Sequence, residues 1–361
     1  MSKNLVINDN TNMRLNELAN PKNFQSPIEI DGLSNELILK FYESMLLIRK
    51  VEDLLAQKKK DGHIGGPVHL CAGQEAIPVA ISSSLSSDDF VFGAHRSHGH
   101  LLALGSCLRK FFAEILGKKT GHCKGLGGSM HLIDEAVGFY GSVPIMAATV
   151  PMAVGSAISA KIRKTSSISV SYFGDGAIEE GVIVEAMNLA KIQAAPILFV
   201  AENNLFASHM NITERQPDSC VSRFAEACRI PSCIVDGNDV VSVHKAASNF
   251  INEIRLGQGP RFLECVTYRH YGHVDWREDV DVGVNRSMED ITDWRARDPI
   301  KRLLDSLNNC DEINQADLAD IDSNTSSLNE SSWELAFNDP YPDKEDLLVG
   351  VYSQLGLTIE E

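Results

Sequence analysis

The chain reads as an α/β protein whose parallel sheet is covered by helices on both faces, and three observations predict it. Strand-like and helix-like segments alternate regularly along most of its length. The apolar run Pro196–Ala201 suits a strand buried on both faces. Gly174-Asp175-Gly176, an amphipathic helix, that run and Glu202-Asn203-Asn204 follow one another as a βαβ unit. Parallel strands end on one edge, so Asp175 and Asn204 should meet where such sheets bind ligands.

Taken in order, residues 1 to about 32 are polar and Asn-rich, with Pro21 and Pro27, and read as a loose arm. The remainder, 33–361, reads as one domain with a C-terminal helical tail. Ser34 caps a helix running to about Lys60, with Leu37, Phe41, Met45, Leu46 and Ile48 on its apolar face and Asp61-Gly62 ending it. A Gly-rich loop, His63–His69, leads to a short helix over Gln74–Leu85. A strand at Phe90–Phe92 opens into Ala94-His95-Arg96-Ser97-His98-Gly99-His100. Helix Leu108–Leu116 is followed by a loop from Gly117 to Gly141, long enough to suggest a functional role. Helix Ala148–Lys164, strand Ile168–Phe173, helix Val182–Ile192 and strand Pro196–Ala201 come next. Beyond Phe206 the chain is irregular to Ser222. Helix Arg223–Arg229, strand Cys233–Val235, helix Val240–Leu256 and strand Phe262–Tyr268 complete the alternation. A polar loop runs from Tyr268 to Arg286, and Asp298-Pro299 opens another helix. An acidic Ser/Asn-rich tail reaches about Asp339, with a last helix after Pro340-Tyr341-Pro342.

Composition narrows the function. At 361 residues, 43% hydrophobic and 23% charged, the chain can bury a sizeable core. A net charge of -16 argues against nucleic acid or an anionic membrane as main partner, yet leaves room for a local basic pocket. The eight cysteines show no CxxC and no framework spacing, as expected of thiols in a reducing cytoplasm. No apolar run reaches membrane-spanning length. The N-terminus resembles neither a signal nor a transit peptide, so a cytoplasmic protein is expected.

The chemistry gathers at the βαβ unit. Glycines let backbone approach a phosphate closely, while one carboxylate and one amide oxygen suit Mg²⁺ that keeps diphosphate oxygens as further ligands. Arg96, after a strand, can grip phosphate through charge-assisted hydrogen bonds.

Gly-Asp-Gly followed at this spacing by Asn-Asn resembles the thiamine diphosphate fingerprint. The segment GDGAIEEGVIVEAMNLAKIQAAPILFVAENN is similar to the α subunit of 2-oxoacid dehydrogenase E1 components of the pyruvate and acetoin types, with likeness from about Leu33 to Leu348. The resemblance implies thiamine diphosphate and Mg²⁺ as cofactors. Asp175 and Asn204 would be side-chain metal ligands and the Phe206 carbonyl a third. His95 and Arg96, with the N–H groups of Gly176 and Ala177, would hold the diphosphate. Met146 would be an apolar wedge and the Pro144 carbonyl an acceptor for the aminopyrimidine amine. His273 and His69 would be catalytic, His273 in its protonated form, and His131 a pocket-wall residue. Glu179 and Glu180 should serve the helix start rather than the metal. Val274 replaces a regulatory serine of mitochondrial relatives, so no phosphorylation switch is expected there.

The resemblance also implies half an active site. A β subunit would complete it, in an α₂β₂ assembly, and the acyl group would pass to a lipoyl-bearing E2 protein. Val143, Pro144 and His95 depart from the pyruvate-type pattern. They keep open a non-oxidative alternative, in which a two-carbon unit from pyruvate goes to an aldehyde or sugar carbonyl. A degenerate, purely binding subunit is the third reading, opposed by the intact Asp175, Asn204, Arg96 and His273.

Overall fold

A computed structural model of the chain describes residues 10–279 and 286–348. Its helices are α1 (Asn10–Ala19), α2 (Asn35–Lys60), α3 (Ala76–Ser82), α4 (His98–Ala103), α5 (Leu108–Ile115), α6 (Thr149–Arg163) and α7 (Gly181–Ile192). They continue as α8 (Ile212–Arg215), α9 (Ser222–Ala227), α10 (Val240–Arg255), α11 (Met288–Ala296), α12 (Pro299–Asn308) and α13 (Gln315–Phe337). The strands are β1 (Phe90–Gly93), β2 (Phe139–Ser142), β3 (Ser169–Gly174), β4 (Ile197–Asn203), β5 (Phe206–Ala207), β6 (Met210–Asn211), β7 (Ser232–Asp236) and β8 (Arg261–Val266).

Six strands form one wholly parallel sheet in the order β2-β1-β3-β4-β8-β7, while β5 and β6 make a small hairpin. Successive residues of the central strands enter opposite cores, as the two-residue strand period requires. Leu198 and Val200 of β4, with Leu263 and Cys265 of β8, face a core shared with α2, α3, α5, α10 and α13. Ile197, Phe199 and Ala201, with Phe262 and Val266, face the other, shared with α1, α6, α7 and α9. The sheet is therefore covered on both faces, as the sequence implies.

Helix boundaries follow local chemistry. The Ser34 hydroxyl accepts from Leu37 N–H at the start of α2, a cap worth about 1 kcal/mol. Asp298 caps α12 with Pro299 in its first turn.

Several expectations need correction. Residues 10–32 of the supposed arm are not loose: α1 buries Leu15 and Leu18, Arg297 donates to the Leu18 carbonyl, and Ile28 joins a core. Residues 1–9 lie outside the described part. The long loop from Gly117 to Gly141 contains the start of an edge strand, β2, which pairs with β1. The polar stretch to about Asp339, part of the expected C-terminal helical tail, is largely the 23-residue helix α13. After Pro342 the described chain holds only a 3-10 turn, Lys344–Leu348, and the rest of the expected last helix lies outside the described residues. Among the described residues no helix is long and apolar enough to cross a membrane, and no disulfide joins any two cysteines.

Candidate active site

Every strand of a parallel sheet delivers its carboxyl end to the same edge, and a cavity of about 440 Å³ opens there. Ala94, His95 and Arg96 reach it from the end of β1, and Pro144 and Met146 from beyond β2. Gly174, Asp175, Gly176 and Ala177 come from β3, Glu202 and Asn204 from β4. Phe206 follows in β5, and His273 and His69 close the wall from loops. The β3–β4 register sets Gly174 beside Glu202, which brings the Asp175 and Asn204 turns together. All eleven residues singled out from the sequence thus line one cavity. His131 does not: it is exposed, its ring turned to the Gly127 carbonyl, and Met130 occupies the wall instead.

The turns are tight. A Cβ on Gly176 would approach that of Ala207 to 2.5 Å, whereas one on Gly174 would meet nothing within 4 Å and project into open space. Leu205 (φ 69°), between Asn204 and Phe206, and Ala147 (φ 63°), after Met146, both lie in the left-handed region. Non-glycine residues there cost about 1–2 kcal/mol, strain of the kind that gathers at ligand sites. Met146 is 37% exposed on the cavity wall and is not a core side chain.

Asp175 is buried and in ion-pair contact with Arg215 through Oδ2, while Oδ1 has no hydrogen-bond partner among the described residues. Burial pushes its carboxyl up, and Arg215 opposes the shift. Arg215 also pairs with Glu179, so Glu179 is tied to α8 and not to the start of α7; Glu180 flanks that helix without a side-chain cap bond. The Asn204 side-chain oxygen accepts from Phe206 N–H at 3.3 Å, and Asn203 turns away to Glu264.

Arg96 is buried and donates to the carbonyls of Leu70 (2.6 Å) and His273 (3.0 Å), with no carboxylate partner among the described residues. Burial lowers its guanidinium to about 10, so it stays charged at neutral pH. Arg269 and Arg286 are likewise buried without an ion pair among the described residues. Unpaired buried cations are costly unless an anion meets them. Despite its acidic total charge, the chain concentrates positive charge behind this wall.

His69, His95 and His273 form a cluster with ring centroids 4.9–5.4 Å apart. Burial first, then Arg96, holds His95 down to about 2 and His69 and His273 to about 3. In the free chain the His273 ring is therefore neutral, and the protonated form expected beside carboxylate or diphosphate would need that anionic charge in the site. The same holds for His95, whose charge does not vary near neutral pH. The three nitrogens are spaced closely enough to chelate a cation, but an Arg96 nitrogen lies 3.5 Å from His273 Nδ1 and opposes one. Since Arg can only donate, that contact assigns Nδ1 as acceptor and leaves the His273 proton on Nε2.

Sequence reasoning missed Gln74, buried with an unpartnered Oε1 on the cavity wall, and Arg215, forty residues from its partner. Gln74 stands at the start of the short helix expected after His69, within reach of sequence reasoning. Arg215 sits in a stretch with no periodicity to place it.

These residues fit a diphosphate bridged to a divalent ion: an unpartnered acid oxygen, an acid-free guanidinium and glycine turns share one cavity. Comparison with known proteins agrees in kind. Residues 42–345 match the family described as the dehydrogenase E1 component. The chain is 36% identical over 321 residues to the α subunit of acetoin:2,6-dichlorophenolindophenol oxidoreductase of Bacillus subtilis (strain 168), covering 89% of this chain and 95% of that one. It is 34% identical over 323 residues to the pyruvate dehydrogenase E1 component subunit alpha of Rhizobium meliloti (strain 1021), covering 89% and 92%.

Proposed function

The chain belongs to the dehydrogenase E1 component family as an α subunit, and on that premise we propose that it uses thiamine diphosphate with Mg²⁺ to decarboxylate pyruvate, or to act on acetoin, in a complex with a β subunit. The observation that carries this is the pairing of an unpartnered buried Asp175 oxygen with an acid-free buried Arg96 on one cavity.

When bound, thiamine diphosphate supplies the electron sink that a decarboxylated carbonyl carbon needs. The protein's part is placement and charge. Asp175, Asn204 and the Phe206 carbonyl would hold Mg²⁺, which suits an all-oxygen donor set. Arg96, His95 and the N–H groups of Gly176 and Ala177 would hold the diphosphate. The Pro144 carbonyl can accept from an amine, and Met146 presents an apolar surface to a ring. Neutral His69 can donate a hydrogen bond to the oxoacid. His273 carries its proton on Nε2 and gains basicity as anionic charge enters, which fits it to hand a proton over during acyl transfer.

The partner has a surface to meet. The buried alanines of α6 and α7, Ala153, Ala157, Ala160, Ala186 and Ala190, serve packing within the chain. Met152 and Ile162 of α6, with Leu189 and Ile192 of α7, remain 46–75% exposed. An apolar set of this kind on neighbouring helices supports docking of another subunit. Transfer of the acyl unit to a lipoyl-bearing E2 completes the reading.

The test is turnover of the assembled α/β pair. Reduction of dichlorophenolindophenol by pyruvate or acetoin, dependent on both thiamine diphosphate and Mg²⁺, is the expected result. Carbon–carbon bond formation with an added aldehyde, without dye reduction by either substrate, would instead establish the non-oxidative alternative.

A further inference from the structure

Behind the cavity wall lies a buried polar chain that nothing above uses. Glu52 of α2, His98 at the start of α4 and Ser129 of the Gly-rich loop are 0%, 0% and 5% exposed. His98 Nδ1 lies 2.7 Å from Glu52 Oε1, and His98 Nε2 lies 2.8 Å from Ser129 Oγ. Both ends then meet the same short piece of backbone. His69 N–H donates to Ser129 Oγ at 3.2 Å, and Cys71 N–H donates to Glu52 Oε2. Between them, the Leu70 carbonyl accepts from Arg96. Three consecutive residues are thus each pinned by a different buried side chain.

Donor accounting gives the chain one direction. An ionised Glu52 can only accept, so His98 donates from Nδ1. A neutral His98 then accepts at Nε2 from the Ser129 hydroxyl, whose remaining lone pairs receive His69 N–H. With His98 doubly protonated, the Ser129 hydrogen would have no acceptor among the described hydrogen bonds. The order Glu–His–Ser is that of a hydrolytic triad. Here, however, the hydroxyl oxygen accepts a main-chain N–H and the whole chain is sealed. Among the described residues the His69 ring has no hydrogen bond of its own at Nδ1, so its aim at His95 and His273 depends on where the backbone is held.

We propose that Glu52, His98 and Ser129 are positioning residues that fix the His69–Cys71 backbone and thereby set the site's hold on the oxoacid rather than on the cofactor. This rests on the reading that His69 meets the oxoacid. Removing one hydrogen-bonded support of a working residue costs roughly 10–100-fold. In the assembled α/β enzyme, Ser129→Ala should therefore lower kcat/KM for the substrate the wild type turns over by about 10–100-fold. Thiamine diphosphate affinity should stay within about threefold, and Ser129→Thr, which keeps the hydroxyl, should restore most of the loss. The decisive arm is the double variant: in a His69→Ala background, Ser129→Ala should add almost nothing, because the chain acts through His69. Glu52→Gln should behave like Ser129→Ala; should it fail to fold, the serine variants carry the test alone. A Ser129→Ala enzyme with wild-type kinetics, or an undiminished loss in the His69→Ala background, overturns the proposal while leaving the functional reading intact. A wild-type complex that neither binds thiamine diphosphate nor turns over an oxoacid or acetoin overturns both.

Discussion

The two walls of the cavity follow opposite electrostatic plans. On the β3–β4 side an acid is buried with one oxygen answered by Arg215 and the other by no hydrogen-bond donor among the described residues. On the other wall, built from the loops after β1 and β8 and from the His69 loop, a guanidinium is buried beside three neutral imidazoles with no carboxylate hydrogen-bond partner among the described residues. Each wall alone is poorly satisfied, and burial makes each shortfall expensive. Together they describe a ligand that is cationic at one end and anionic at the other. A divalent ion bound to a diphosphate has that polarity. On the proposed reading, the apparent flaws of the free chain are the site's selectivity.

Breaking the acid wall should have the largest effect. Asp175→Ala, with the isosteric Asp175→Asn beside it, should lower Mg²⁺-dependent thiamine diphosphate binding in the α/β complex by about 100-fold or more, read by quenching of intrinsic fluorescence. Retained binding would mean that the ion is held elsewhere. Breaking the cationic wall comes next. Arg96→Met should weaken binding of inorganic pyrophosphate by about 10–100-fold, the value of one or two charge-assisted hydrogen bonds. Arg96→Lys should recover only part, because the two carbonyls Arg96 also serves need its planar fork.

His273→Ala sharpens the comparison by separating binding from chemistry. Cofactor affinity should change by less than about threefold while turnover falls by roughly 10²–10⁴. Equal losses in both would move His273 into the binding wall only.

The smallest effect concerns pH. The folded chain holds His69 and His273 at about 3, below the unfolded histidine value, so unfolding takes up protons as pH falls. These groups therefore contribute fully to stability above about pH 6.5, and that contribution is lost progressively as pH falls toward 3. Thermal unfolding from pH 7 to 4 should show Tm falling, and pyrophosphate should blunt the fall by favouring the protonated rings. An equal fall with and without pyrophosphate would deny the link between the imidazoles and the anion.

The same contrast explains what the sequence could reveal. The acid wall is built from local turns, Gly174-Asp175-Gly176 and Asn203-Asn204, whose residue types already state their chemistry. Its counter-ion, Arg215, comes from α8, where a capping box at Asn211 and Glu214 makes a single turn of helix that no apolar period marks. The extent of helix α13 within the expected helical tail was faint for a related reason. Its buried face includes Thr325, Asn329 and Ser332 beside Leu318, Trp333 and Ala336, and the Asn329 side-chain N–H donates to the Lys50 carbonyl. A helix face completed by hydrogen bonds carries only a faint hydrophobic period. In α4, His98-Gly99-His100 is a poor helix former, and tertiary packing around Glu52 and Glu202 holds it. The depressed imidazoles were out of reach as well, since burial is a property of the assembled wall.

The most direct measurement is anomalous diffraction from crystals of the α/β complex grown with thiamine diphosphate and Mn²⁺ in place of Mg²⁺. The account predicts one anomalous peak within coordination reach of Asp175 Oδ1 and the Asn204 side-chain oxygen, with the diphosphate on the Arg96 side. A peak elsewhere, with Asp175 still held by Arg215 alone, would contradict it.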